Sequence, residues 1–138
     1  MSDRGASRIA VAIVLDRGKT LIGRRPGGVP LAGLWEFPGG KVGPGESADD
    51  AAVRECLEET AVRVRVERER AVVEQRYEHG DVRIHFFDAS PIDPGREPAP
   101  PFRWVEISSL DRYAFPPANW GVVAQLRAEF SVPFPPPP

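Results

Sequence analysis

The chain has 138 residues, the size of one domain with a single hydrophobic core. Its formal net charge is −2 and it holds no basic run, which argues against nucleic acid as the main partner. The longest apolar run, residues 9–15, is too short to span a membrane or serve as a signal peptide, and a single cysteine excludes an internal disulfide and fits a reducing cytoplasm.

Residues 9–15 and 20–23 read as strands around Asp16-Arg17-Gly18-Lys19, a hairpin signal. Residues 24–36 form a Gly/Pro-rich loop. A helix is expected over residues 48–60, which carry good helix formers, no internal Gly or Pro, and Ser47 as N-cap. Val62, Val64 and Val66 alternate with Arg63 and Arg65, as a half-buried strand should. Residues 71–77 and 82–89 flank Glu78-His79-Gly80-Asp81, a second hairpin; His79 reads as a turn residue and His85 as a strand residue. A proline-rich loop over 90–101 leads to a short strand, 102–106, a helical turn within 107–113, and a last helix, 120–130, with Asn119 as a candidate cap. The domain is expected to span residues 1–131. The proline-rich tail, 132–138, cannot form a helix or a central strand and reads as a frayed terminus.

The densest chemistry lies between Gly40 and Val62. At about 100° per residue, Glu55, Glu58 and Glu59 fall in one arc of the 48–60 helix. Val53, Cys56, Leu57 and Thr60 fall on the opposite side as an apolar stripe, where Cys56 reads as buried filler rather than a nucleophile. Ala48, Ala51 and Ala52 continue the acidic side and leave room for a loop or ligand. Carboxylates three and four residues apart repel one another. Arg54 can relieve Glu58 at i+4, but one arginine does not neutralise the cluster. A bound Mg²⁺ or Mn²⁺ would, because hard divalent ions bridge carboxylates to substrate phosphates. An acidic helix face alone is usually only solvated surface. Here Gly39, Gly40, Gly43, Pro44 and Gly45 add a loop whose backbone can approach an ion closely, and Glu46 returns a carboxylate to the helix start.

The string from Gly40 to Val62 resembles the Nudix box: Gly40, Glu46, Arg54, Glu55, Glu58, Glu59 and Val62 match it, while Ala61 stands where the family has glycine and Cys56 at its apolar position. At Ala61 a positive φ would cost on the order of 1 kcal/mol. The resemblance implies an α+β fold, an α/β/α sandwich with a mixed central sheet. Two further strings, LWEFPGGK (residues 34–41) and FPPAN (residues 115–119), look like the MutT type, whose members hydrolyse oxidised purine nucleotides such as 8-oxo-dGTP.

The resemblance implies that Gly40, through its carbonyl, and Glu55, Glu58 and Glu59 hold Mg²⁺, with Mn²⁺ as a substitute. Glu55 would orient or deprotonate a water, with Glu46 assisting and Arg54 holding the carboxylates. Arg25 and Lys41 would contact the nucleotide, whereas Arg24 reads as a solvated hairpin arginine. Glu97 is the candidate for an additional distal glutamate, offset by one residue from the MutT spacing. Asn119 would recognise the base: its carboxamide pairs a donor with an acceptor, matching O6 and the N7 hydrogen of 8-oxoguanine but not normal guanine. It could equally cap the last helix. Phe37 and Phe115 read as core, and Trp35 lies beside the Gly-rich loop. The expected reaction is hydrolysis of a nucleoside triphosphate to monophosphate and pyrophosphate. A Nudix hydrolase for dCTP or a general nucleotide is the alternative. A non-catalytic nucleotide-binding module is disfavoured by the four retained glutamates.

Overall fold

In a computed structural model that describes residues 7–28, 32–78 and 80–130, the chain begins with the expected hairpin. Strands β1 (Ser7–Asp16) and β2 (Lys19–Arg24) are joined by Arg17 and Gly18, both at positive φ (51° and 78°). That pair of angles matches the right-handed twist of the flanking strands. One edge of β1 is shared between two partners: Ile9, Ala10 and Val11 pair with β4 (Gly39–Lys41), and Leu15 and Asp16 pair with β2. The ladder therefore forks along β1. On its other edge β1 runs parallel to β6 (Gly80–Pro91), which pairs antiparallel with β5 (Val64–Tyr77). Beyond β2 lie β3 (Trp35–Glu36) and β7 (Phe102–Glu106). The sheet is mixed, as expected for an α/β/α sandwich.

Alternation along β1 divides the core between two helices. Ala10, Ala12 and Val14 pack with helix α1 (Ala48–Thr60), while Val11 and Ile13 pack with helix α2 (Trp120–Phe130) and the 3₁₀ turn Ile107–Arg112. Phe37 and Phe115 are buried and stacked in the second cluster, 5.1 Å between centroids. No helix among the described residues is long and apolar enough to cross a membrane.

Several expected elements differ. The loop over 24–36 ends in β3, and Arg24 closes β2. The strand expected from Val62 begins at Val64 and is continuous with that over 71–77 as one element, β5, with register shifts between Val66 and Arg68 and between Glu69 and Ala71. On α1 the apolar stripe is rotated. Ala48, Ala51 and Ala52 are buried against the sheet rather than open to a ligand, whereas Leu57 is 44% exposed. Small side chains let α1 settle close against Ala10, Ala12 and Val14 of β1, and this orientation wins over burying one leucine. Cys56 and Thr60 are buried as expected, and burial pushes the Cys56 thiol up to about 11. The expectations for His79 and for the tail lie outside the described residues.

Helix α1 ends at Ala61 in the left-handed region (φ 63°, ψ 14°), with its N–H bonded to the Leu57 carbonyl. A glycine relieves the Cβ strain of this cap geometry. Ala61→Gly is expected to stabilise the fold by about 0.5–1 kcal/mol, raising the melting temperature by roughly 2–4 °C. An unchanged or lower midpoint in a thermal melt would show that Ala61 carries no strain.

Candidate active site

Helix α1 starts at Ser47, whose hydroxyl accepts from the Asp50 N–H at 3.3 Å, and Asp49 and Asp50 complement the helix dipole in the first turn. Two turns further on, Arg54 gathers the carboxylates. Its Nε and Nη2 donate to the two oxygens of Glu46 at 2.8 and 3.0 Å, and its Nη1 donates to Glu55 and Glu58, each at 3.1 Å. Nη2 also reaches the Lys41 carbonyl at 3.1 Å, tying helix to strand β4. Glu46 takes a further bond, 2.8 Å, from the Gly43 N–H. The Arg54 hydrogen bonds, followed by that of Gly43, hold the Glu46 carboxyl at about 2, well below the usual range. The Arg54 guanidinium is raised in turn, first by Glu46.

Glu59 is differently placed. Its carboxylate accepts one backbone bond, from Gly39 N–H at 3.1 Å, and has no cation among the described residues. Burial, chiefly, and then the charges of Glu36, Glu55 and Glu58 push it up to about 7 against the pull of the Gly39 bond. The backbone of β4 makes this proximity possible. A Cβ at Gly40 would lie within 2.6 Å of both Glu55 carboxylate oxygens, and one at Gly39 would lie 2.5 Å from the Ala10 carbonyl oxygen. A side chain at Gly39 would collide with the β1 backbone, and one at Gly40 would displace the Glu55 carboxylate.

On the α2 side of the same glycines lies a cleft of about 270 Å³. Its apolar lining includes Ile9, Val11, Phe37 and Ile84; its polar lining is Arg25, Glu36 and Asn119. Arg25 donates to Glu36 at 2.6 Å. Asn119 is half-buried at the end of the 3₁₀ turn Pro117–Asn119, which runs directly into α2. Its side chain makes no capping bond among the described residues, so the cap reading has no hydrogen bond behind it.

The structure thus brings Glu46, Arg54, Glu55 and Glu58 together, sets Glu55 and Glu59 against Gly40 and Gly39, and places Arg25, Gly40 and Asn119 in one cleft. Lys41 does not join them: its side chain is exposed and outside the cleft lining, and its carbonyl serves Arg54. Glu97 is exposed and lines a separate cleft of about 460 Å³ with Asp16, Arg17, Lys19, Arg96 and Trp104. His85 sits on β6 with its Nδ1 2.8 Å from Glu69. Glu36 escaped the sequence reading. Its signal was a lone acid between two aromatics, Trp35 and Phe37, just before a glycine pair.

Among the described residues, no three carboxylate, imidazole or thiol side chains stand grouped to hold a metal ion. Glu55 and Glu58 are turned to Arg54 instead. The donor set nevertheless suits a hard divalent cation. It is all oxygen, its glycine cradle would be filled by a Cβ, and the lack of a counter-charge at Glu59 is one that such a cation would relieve.

A mixed sheet between helices, with an acidic helix seated on a glycine pair, defines the class of Nudix hydrolases. Residues 10–125 match the NUDIX domain family, and the chain belongs to it. It is 32% identical to an 8-oxo-dGTP diphosphatase of Haemophilus influenzae, over 92% of this chain and 96% of that protein. A CTP pyrophosphohydrolase of Escherichia coli is 49% identical over 57 residues, and that match spans 41% of this chain and 42% of that protein. The solved E. coli ORF135 protein has a TM-score of 0.75 and 27% identity, covering 94% of this chain and 95% of its own.

Glu59 gives a pH signature in the metal-free protein. Between pH 4.5 and about 7 the unfolded chain loses this proton while the folded chain keeps it, so stability falls through that window and the deficit is complete above it. Glu59→Gln is expected to be more stable than the parent by about 1–2 kcal/mol near pH 8, allowing for solvent screening, and nearly equal to it near pH 4.5. Urea denaturation of both proteins in chelator at the two pH values checks this. A difference that does not grow with pH would contradict the assigned burial of charge.

Proposed function

We propose that this chain hydrolyses a nucleoside triphosphate to the monophosphate and pyrophosphate, with 8-oxo-dGTP as its preferred substrate and nucleotide-pool sanitation in the cytoplasm as its role. The observation that carries this reading is the shared cleft: Arg25 and Asn119 line the same space as Gly40, whose far side receives the Glu55 carboxylate. A base in the cleft therefore has its phosphates directed at the acidic helix.

Glu55, Glu58, Glu59 and the Gly40 carbonyl would hold Mg²⁺, or Mn²⁺ in its place. When bound, the ion supplies charge neutralisation of the phosphates and acidification of water. The chain's own groups do the rest. Arg54 aligns Glu46 and Glu55, which share the task of orienting and deprotonating the attacking water. The apolar floor of Ile9, Val11, Phe37 and Ile84 excludes water from one face of the base. Asn119 presents a donor and an acceptor together, and Arg25, braced by Glu36, binds at the polar rim. Lys41 remains a candidate phosphate contact through its exposed amine, and Glu97 a more remote one for a second ion or a base.

A second reading, a pyrophosphohydrolase for a cytidine nucleotide, draws on the 49% identical segment of the CTP enzyme. Asn119→Ala separates the two. On the first reading it lowers kcat/KM for 8-oxo-dGTP by about 10–100-fold and leaves dGTP and dCTP within about 3-fold. The assay is a panel of normal and oxidised nucleotides with Mg²⁺, resolving pyrophosphate from orthophosphate. Equal losses on all substrates would sink the base assignment, and orthophosphate release would sink the cleavage site.

A further inference from the structure

A second ion-pair network lies away from the glutamate helix. The Arg70 side chain on β5 is only 2% exposed, yet it carries a full charge. It donates to both oxygens of Asp88 on β6, at 2.6 and 3.0 Å, and to both oxygens of Glu129 in the last turn of α2, each at 2.8 Å. Its Nη1 also lies 3.3 Å from the Gln125 carboxamide oxygen, one turn earlier on α2. Arg68 adds a 2.8 Å bond to Asp88, so two cations face two carboxylates.

Apolar packing holds α2 only thinly. Of its eleven residues only Val122 and Leu126 are buried, with Val123 half-buried beside them and Arg127 meeting Asp111 at 3.3 Å on an exposed face, contacts about which the C-terminal end of the helix is free to tilt. The forked guanidinium removes that freedom, because two bidentate pairs fix direction as well as distance. At the other end of α2, the 3₁₀ turn bearing Asn119 continues into the helix without a linker, and Trp120 Nε1 donates to the Phe115 carbonyl at 2.8 Å. Helix and cleft rim move as one body. The buried pair is centred four residues from Trp120, about 6 Å of helix, so a tilt of about 10° about it displaces the rim by about 1 Å.

We propose that the Arg70–Glu129 clamp is a positioning device for Asn119, setting the distance between its carboxamide and the base from the far end of α2. The inference rests on base reading by Asn119. Displacing a recognition group by about 1 Å is enough to cost binding without touching the chemistry at the glutamate helix. The clamp then governs KM and selectivity, and kcat is indifferent to it.

Removing Arg70 would leave buried Asp88 with Arg68 as its only cation among the described residues and endanger the fold, so the test is made at Glu129, which is 45% exposed. Glu129→Ala is expected to raise KM for 8-oxo-dGTP by about 5–10-fold, keep kcat within about 2-fold, and lower the preference over dGTP in proportion. Glu129→Gln, which can still accept from Arg70, should restore most of the loss. On an Asn119→Ala background, Glu129→Ala should add nothing further. Unchanged KM and selectivity in Glu129→Ala, while Asn119→Ala is impaired, overturns the clamp and leaves the base reading standing. A fall in kcat at constant KM overturns it as well, since that marks a general distortion. If Asn119→Ala itself has no effect, the base reading fails and takes the inference with it.

Discussion

The candidate active site depends on how far one guanidinium can be shared. Arg54 meets Glu46, Glu55 and Glu58 and the carbonyl of Lys41, and so fastens the glycine loop, helix α1 and strand β4 at one point. Carboxylates at i, i+3 and i+4 on a helix oppose its formation, and a positive charge among them offsets that repulsion. Arg54 has no contact left for Glu59, which one backbone N–H holds against β4. The cluster is therefore short of positive charge at Glu59. That deficit, more than the number of glutamates, is what a cation delivered with an anionic ligand would relieve.

What was legible in the sequence was local. The limits of α1, β7 and α2 follow from caps, helix formers and apolar runs a few residues apart, and the two-residue turn at Arg17-Gly18 announces itself by composition. The box is likewise a matter of spacing along one helix. Non-local compensation was not legible. Arg68 and Arg70 interrupt the alternation of β5, and their pairing with Asp88, twenty and eighteen residues away, is invisible to a pattern that treats charge as surface. The same blindness turned α1 by part of a turn. Periodicity favoured burying Leu57, but the alanines of α1 pack closely on Ala10, Ala12 and Val14 of β1 and leave Leu57 outside. Glu36 was missed because its partner, Arg25, comes alongside only through the pairing of β2 with β3.

The forked edge of β1 relates the two halves of the site. Because β4 takes the first part of that edge and β2 the last, the sheet parts where Arg25, Glu36 and the glycine pair meet. One face of the glycines serves the acidic helix and the other lines the cleft. The absence of side chains at Gly39 and Gly40 thus does two things at once. It admits Glu55 to van der Waals contact with the backbone, and it opens a short path between a base-sized space and the carboxylates. Such a path suits a ligand with an aromatic end and an anionic end.

The charge deficit at the acidic helix is open to direct measurement. Titration of the full chain with Mn²⁺, followed by electron paramagnetic resonance in the presence of a non-hydrolysable nucleotide analogue, counts the ions taken up. The account predicts saturable uptake of at least one ion per chain that Mg²⁺ displaces. A spectrum of free Mn²⁺ throughout the titration would contradict it, because the glutamates would then be balanced by Arg54 alone.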